Sequence, residues 1–287
     1  MKILITGTGG FIAGNVAAWL EKNTSHTIIG TYRNRKPKKG NYQTVQCDLF
    51  LNPEKLKEID FDVVVHFASQ MYGEDIKDFL DNTVQATRNL LEIAEEKQVD
   101  RFIYMSTISI CGETEGVITE EARRINQRDY EMVKWIGERL VACSTIRNKT
   151  CIRLPRVLGP DVDYSAVWLP KVSDMIRKGE EIKYYNPDSP YNTLLHVDGL
   201  ARFIFDIIEE RIKDDVYVLG ADEPMTILTI LEFLKKGLNS DSVLTEVQVD
   251  APDRCHSVDI SKAKKAGFVS DTVQEVLEKY VDDMRGE

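Results

Sequence analysis

The chain has 287 residues, enough for one large domain or two modest ones, and a core of that size needs no disulfide or metal staple. Hydrophobic residues make up 43% and charged residues 29%, which suits a soluble globular protein and excludes a disordered one. A net charge of −10 argues against a nucleic-acid binder, and charges interrupt every apolar run before the ~20 residues of a membrane span.

Lys2–Thr6 (KILIT) reads as a buried strand, and the opening MKILITG has neither the long apolar stretch nor the cleavage site of a secretory signal. Phe11–Glu21 carries Ile12, Val16, Trp19 and Leu20 at helical period. Further strands are expected at His26–Tyr32, Tyr42–Cys47, Phe61–Phe67, Arg101–Ser106 and Thr150–Leu154, and long helices at Ile76–Lys97 and Gln127–Arg147. Strands that are continuous apolar runs are buried on both faces, and helices between them imply right-handed crossovers. The expected architecture is a doubly wound α/β parallel sheet of Rossmann type. Beyond Gly159-Pro160, prolines punctuate the chain and Tyr164, Trp168, Tyr184, Tyr185 and Tyr191 gather. Leu194–Val197, a helix near Gly199–Glu210 and Val216–Leu219 read as a return to the sheet, and two or three short helices follow Ala221. A cofactor domain is therefore expected over 1–160 plus 194–220, and a small discontinuous substrate domain over 161–193 plus 221–287. The five cysteines are scattered and form no CxxC, which points to a reducing, cytoplasmic setting. No pair of the four histidines has metal-ligand spacing, so no metal is expected.

Three motifs carry the chemistry. Thr6-Gly7-Thr8-Gly9-Gly10-Phe11-Ile12-Ala13-Gly14 joins the first strand to the first helix. Gly7 and Gly10 allow a tight reversal and close backbone approach to a pyrophosphate at the helix N-terminus, and Ala13 keeps the third position small. The second strand ends in Thr31-Tyr32-Arg33-Asn34-Arg35-Lys36, with five cations in seven residues (33–39) and no acid for a ribose 2′-hydroxyl. A guanidinium suits a 2′-phosphate, so NADP(H) is expected over NAD(H), read by Arg33 and then Arg35. Tyr130-Glu131-Met132-Val133-Lys134 places a phenol and an amine on one helix face. An ammonium and an oxidised nicotinamide ring nearby would lower the phenol's pKa, letting it exchange a proton while the ring exchanges a hydride. Thr107, directly after the fifth strand, is placed to donate a hydrogen bond to the same substrate oxygen.

These motifs resemble the extended short-chain dehydrogenase/reductase superfamily, in its NAD(P)-dependent sugar-nucleotide epimerase/dehydratase branch. The resemblance also rests on CDL at 47–49, HFAS at 66–69, DNTVQATRNLLEIA at 81–94, STISICG at 106–112, IRLPRVLGP at 152–160, LLHVDGLA at 194–201 and DISKAKKAGF at 259–268. It implies a catalytic set of Thr107, Tyr130 and Lys134, with Lys134 also holding the nicotinamide ribose. Asp48 and Leu49 would contact adenine. Phe67, Ala68 and Ser69 would line the diphosphate and ribose, alongside Phe11 and Ile12 at the turn. Asn82 would support the site, and Pro155 would lie near the nicotinamide. Arg156, Trp168, Asn192 and Arg254 would meet the substrate, and His66 is expected to be structural. Dehydratases of this branch carry acids directly after the Thr, whereas this chain has Ile108 and Ser109. Asn192 stands where many nucleotide-sugar enzymes have an Arg for the diphosphate, leaving Arg156, Lys171 or Arg254 to supply that charge. The resemblance implies an NADPH-dependent reductase of a keto-sugar, of the nucleotide-linked 4-keto-6-deoxy kind. An epimerase, a reductase of a non-sugar carbonyl and a cofactor-sensing regulator stand as alternatives. A homodimer through the helices at 76–97 and 127–147 is also expected.

Overall fold

The computed structural model describes residues 1–73, 75–113, 116–163, 168–249 and 257–286. The chain runs β1 (Lys2–Thr6), α1 (Phe11–Asn23), β2 (Thr27–Tyr32), β3 (Gln43–Gln46), β4 (Val63–His66), α2 (Ile76–Phe79), α3 (Ala86–Glu96), β5 (Arg101–Thr107), α4 (Asp129–Cys143) and β6 (Asn148–Leu154). It continues β7 (Arg156–Leu158), α5 (Trp168–Arg177), β8 (Ile182–Tyr184), β9 (Pro190–Tyr191), β10 (Leu194–His196), α6 (Val197–Ile208), β11 (Val216–Val218), β12 (Met225–Thr226), α7 (Ile227–Gly237), β13 (Leu244–Glu246), α8 (Ser261–Ala266) and α9 (Val273–Arg285).

Seven strands form one sheet in the order β11-β6-β5-β4-β1-β2-β3, and every pairing in it is parallel. The apolar runs explain it: all four residues of β4 and all seven of β5 are buried. Successive side chains point to opposite faces. Ile3, Ile5, Val63, Val65, Ile103 and Met105 therefore pack under α1 and α6, while Leu4, Val64, Phe102 and Tyr104 pack under α3. Each fully buried side chain of this kind contributes about 1.5–3 kcal/mol. A second core gathers Leu158, Leu169, Ile176, Leu194, Ile230 and Leu277 beside the sheet. Val258, Ile260, Ala263 and Phe268 pack with the sheet's core instead, although they follow residue 221. Among the described residues no helix is long and apolar enough to cross a membrane.

Two elements depart from the sequence expectation. The helix expected over 76–97 is broken by a π turn at Leu80–Gln85, between α2 and α3. Leu194–His196 does not rejoin the main sheet but pairs with β7. Pro155 has no N–H for a ladder, so the strand leaves the sheet after Leu154 and β10 follows the departing segment.

Chain direction fixes where a ligand can sit. From β1 the chain moves outward to β2 and β3, then crosses back to β4 on the other side of β1. Such a reversal opens a crevice at the carboxyl ends of the two central strands. Thr6 and His66 stand opposite each other there.

Candidate active site

A cleft of about 1560 Å³ opens at this reversal point. It is lined by Gly7, Gly10, Phe11, Ile12, Arg33, Asp48 and Leu49, by Phe67, Ala68, Ser69, Ser106 and Thr107, and by Tyr130, Pro155, Arg156, Trp168, Lys183 and Tyr191.

The turn after β1 is shaped for close approach. Gly7 has φ +76°, and a Cβ on it would fall 3.1 Å from the Ala68 backbone. Gly9, which the motif reading passed over, lets the basic loop press in: a Cβ there would lie 2.0 Å from the Arg35 carbonyl oxygen. Gly10 caps α1 without any side-chain hydrogen bond, so the first-turn N–H groups of this 13-residue helix are left for an anion. The Ser106 hydroxyl is buried on the cleft wall with no partner. An uncapped helix start, a glycine cradle and an orphaned hydroxyl are features a dinucleotide would satisfy.

A buried relay holds the floor of the cleft. Thr6 Oγ1 accepts from the Phe67 and Ala68 N–H groups, each at 3.1 Å, which leaves its proton for His66 Nδ1 at 2.7 Å. His66 Nε2–H then donates to Thr87 Oγ1 at 3.0 Å, and Thr87 donates to the Thr83 carbonyl at 2.6 Å. Donor counting thus makes His66 a neutral imidazole with both nitrogens used. Burial, reinforced by the Lys134 ammonium, pushes its pKa down to about 3 from 6.5. His66 is a structural residue, as expected from the sequence.

This relay has a pH consequence. Between about 6.5 and 3 the unfolded chain binds a proton at His66 that the folded chain refuses, so stability falls as the pH drops through that window. The slope approaches about 1.4 kcal/mol per pH unit. Urea unfolding at pH 7, 5.5 and 4 should show this slope in the wild type and its loss in His66→Asn. Parallel slopes in the two proteins would refute it.

Thr107 ends β5 and caps the helical turn Ile108–Cys111, accepting the Ser109 N–H at 3.1 Å. Its own proton remains available to the cleft. Tyr130 lies in the first turn of α4, where the Arg128 N–H donates to Glu131 at 2.5 Å. Burial pushes the Tyr130 phenol up to about 12, with Tyr72 and Glu131 adding to the rise and the Arg156 guanidinium opposing it.

The profile of the NAD dependent epimerase/dehydratase family matches residues 3–220. The chain belongs to that family. It is accordingly an NAD(P)-dependent enzyme of the extended short-chain dehydrogenase/reductase type. Relatives that align over nearly their whole length include a low-salt glycan biosynthesis protein of Haloferax volcanii, 23% identical over 100% of this chain and 99% of its own. A dTDP-glucose 4,6-dehydratase of Streptomyces niveus is 25% identical over 99% of this chain and 94% of its own. Among solved structures, the fold is similar to UDP-glucuronic acid 4-epimerase of Bacillus cereus in complex with NAD. That similarity has TM-score 0.82 and 23% identity, over 100% of this chain and 99% of that one. UDP-glucose 4-epimerase of Thermotoga maritima gives TM-score 0.85 and 21% identity, over 100% and 99%.

Most site positions expected from the sequence line this cleft; among the described residues Lys134, Arg35, Asn192 and Lys171 do not. Lys134 is 2% exposed and is not among the lining residues; its ammonium lies over the Tyr104 ring, 4.2 Å from the centroid. Burial lowers its pKa to about 7 against the opposing pull of Glu138. The expected lowering of Tyr130 by Lys134 is thus replaced, in the protein alone, by a phenol raised by burial, and the cation that opposes the rise is Arg156. Arg35 turns its backbone to Gly9 and does not line the cleft. Asn192 does not line the cleft: its Nδ2 donates to the Ala221 and Val258 carbonyls and its Oδ1 accepts the Val258 N–H, which uses its whole amide on backbone. Arg254, like Tyr164 of the aromatic group, lies outside the described residues. Lys171 lines a separate surface groove with Asp174 and Lys178. Asn82 lies in the π turn, lines the cleft and accepts from Arg33 Nη1 at 2.5 Å.

Proposed function

We propose that this protein is a nicotinamide-dependent oxidoreductase of a nucleotide-linked sugar, acting as a reductase of a keto-sugar. The observation that carries the reading is that two hydroxyl-bearing side chains, Thr107 and Tyr130, line the same cleft as the glycine turn. When bound, the nicotinamide supplies the hydride. The chain's own residues do the rest. Thr107, its oxygen already engaged by Ser109, donates to the substrate carbonyl. A phenol held near 12 is protonated at neutral pH and suits delivery of a proton to the oxygen that gains charge. Gly7, Gly10 and the start of α1 would hold the diphosphate, and Ser106 and Ser69 would offer hydroxyls along it. Ile108 and Ser109 line the cleft directly after Thr107 and carry no carboxyl, which speaks against elimination of water.

NADP(H) is the proposed cofactor. Arg33 faces the cleft past the end of β2, next to Asp48 and Leu49, with an amide and no carboxylate as its partner among the described residues. Fluorescence titration should show NADPH binding at least tenfold tighter than NADH, with Arg33→Ala losing about 10–100-fold for NADPH and little for NADH. Equal affinities would instead support the second reading, an NAD-dependent epimerase. That reading is favoured by the Bacillus cereus epimerase, whose structure holds NAD. The two separate by stoichiometry: a reductase consumes one NADPH per product and an epimerase consumes none.

A further inference from the structure

We infer that Arg156 is an anion anchor for a carboxylate carried by the reacting sugar, so that the substrate is a nucleotide-linked sugar acid. The inference deepens the functional reading above and rests on it. The guanidinium belongs to β7, whose backbone is fixed by the ladder to β10 and by the Arg156 N–H donating to the Thr193 carbonyl at 3.0 Å. Its side chain lines the cleft beside Tyr191, which is 6% exposed and meets Trp168 in a tilted ring contact with centroids 5.4 Å apart.

The two other arginines of the sheet region show what this protein does with a buried guanidinium. Arg153 is forked onto Glu138 at 3.0 Å, and Arg101 pairs with Asp214 at 3.2 Å. Arg156 has no carboxylate partner among the described residues. A guanidinium is a planar fork that matches a carboxylate with two parallel bonds. Left without one in a half-enclosed cleft, it is a site for an anion brought by the ligand.

Position decides which anion. Arg156 lines the cleft with Tyr130, close enough for its charge to act on the phenol, whereas Arg33 follows β2, on the far side of β1 from the β6 strand that leads to Arg156. Tyr130 must touch the oxygen of the reacting carbon, so we assign the anion facing Arg156 to that sugar; an equal loss for UDP in the titration below would assign it to the substrate's diphosphate instead. A 6-deoxy sugar offers a methyl there and leaves the guanidinium uncompensated; a sugar acid offers the carboxylate.

The test is calorimetric titration of the wild type and Arg156→Gln with UDP, UDP-glucose and UDP-glucuronate, which differ only in the sugar and its C6 group. Where UDP is silent, the same series is run on dTDP and GDP. The wild type should bind the glucuronate ester at least tenfold tighter than the glucose ester. Arg156→Gln should lose about thirtyfold for the former and within threefold for the latter. Arg156→Lys should fall between, because it keeps the charge without the fork. Retained binding of the glucose ester certifies that the variant is folded. Equal loss for all three ligands, or a wild-type preference for the glucose ester, overturns the inference and leaves the nucleotide-sugar reading standing. Silence toward every nucleotide overturns both.

Discussion

Replacement of Tyr130 by Phe is expected to cut turnover by about 10²–10⁴-fold, the usual worth of a positioned general acid. The ring stays and only the hydroxyl is lost, so folding and cofactor affinity should change little. Tyr130 lies in the first turn of α4 and its phenol faces the cleft, so no core contact depends on it. The expected signature is therefore a fall in kcat at nearly constant KM for cofactor, read in a steady-state assay alongside thermal unfolding. Since the protein alone holds this phenol up near 12, it stays protonated through the neutral range. A variant that retains more than a tenth of wild-type turnover would remove Tyr130 from the chemistry. Thr107→Ala should cost less, because one donor to the oxygen remains.

Glu138→Ala should be the most destabilising single change described here. Glu138 and Arg153 are 7% and 4% exposed and form two parallel bonds at 3.0 Å, and Arg153 Nη1 also donates to the Glu120 carbonyl at 2.6 Å. Removal of one partner strands a buried charge, which costs about 3–5 kcal/mol. Replacement of both, as Glu138→Leu with Arg153→Met, should recover most of that loss, because apolar side chains of similar volume owe no desolvation penalty. Urea unfolding of the two variants decides the matter: a loss below 1 kcal/mol for Glu138→Ala would mean that water reaches the pair.

The parallel sheet was legible in the sequence because consecutive apolar residues such as Val63, Val64 and Val65 are buried on both faces, a local signal of a global arrangement. The glycine turn was legible for a similar reason, since strand, glycines and helix are neighbours in the chain. What escaped depends on groups distant in sequence. Asn192 looks like any polar residue near a binding region until the backbone of Val258, 66 residues on, is seen to consume its amide. The direction of the Lys134 ammonium is set by the ring of Tyr104 on another element. Gly9 is informative only once the loop after β2 is known to lie against it. Leu194–His196 carries the apolar signal of a sheet strand, but Pro155 had already led its partner away from the sheet.

The Asn192 clamp also dictates an order of assembly. It ties three stretches of backbone at 192, 221 and 258 into one unit, and Tyr191 beside it lines the cleft with Arg156. A chain emerging from the ribosome can complete the strands up to β6 while the residues that grip Asn192 are still unmade. The binding half of the crevice is therefore finished last, after a loop closure of 66 residues whose entropy must be met before any contact rewards it. Changes near the carboxyl terminus should accordingly surface as slow or incomplete maturation of ligand binding in a protein whose nucleotide half is already formed.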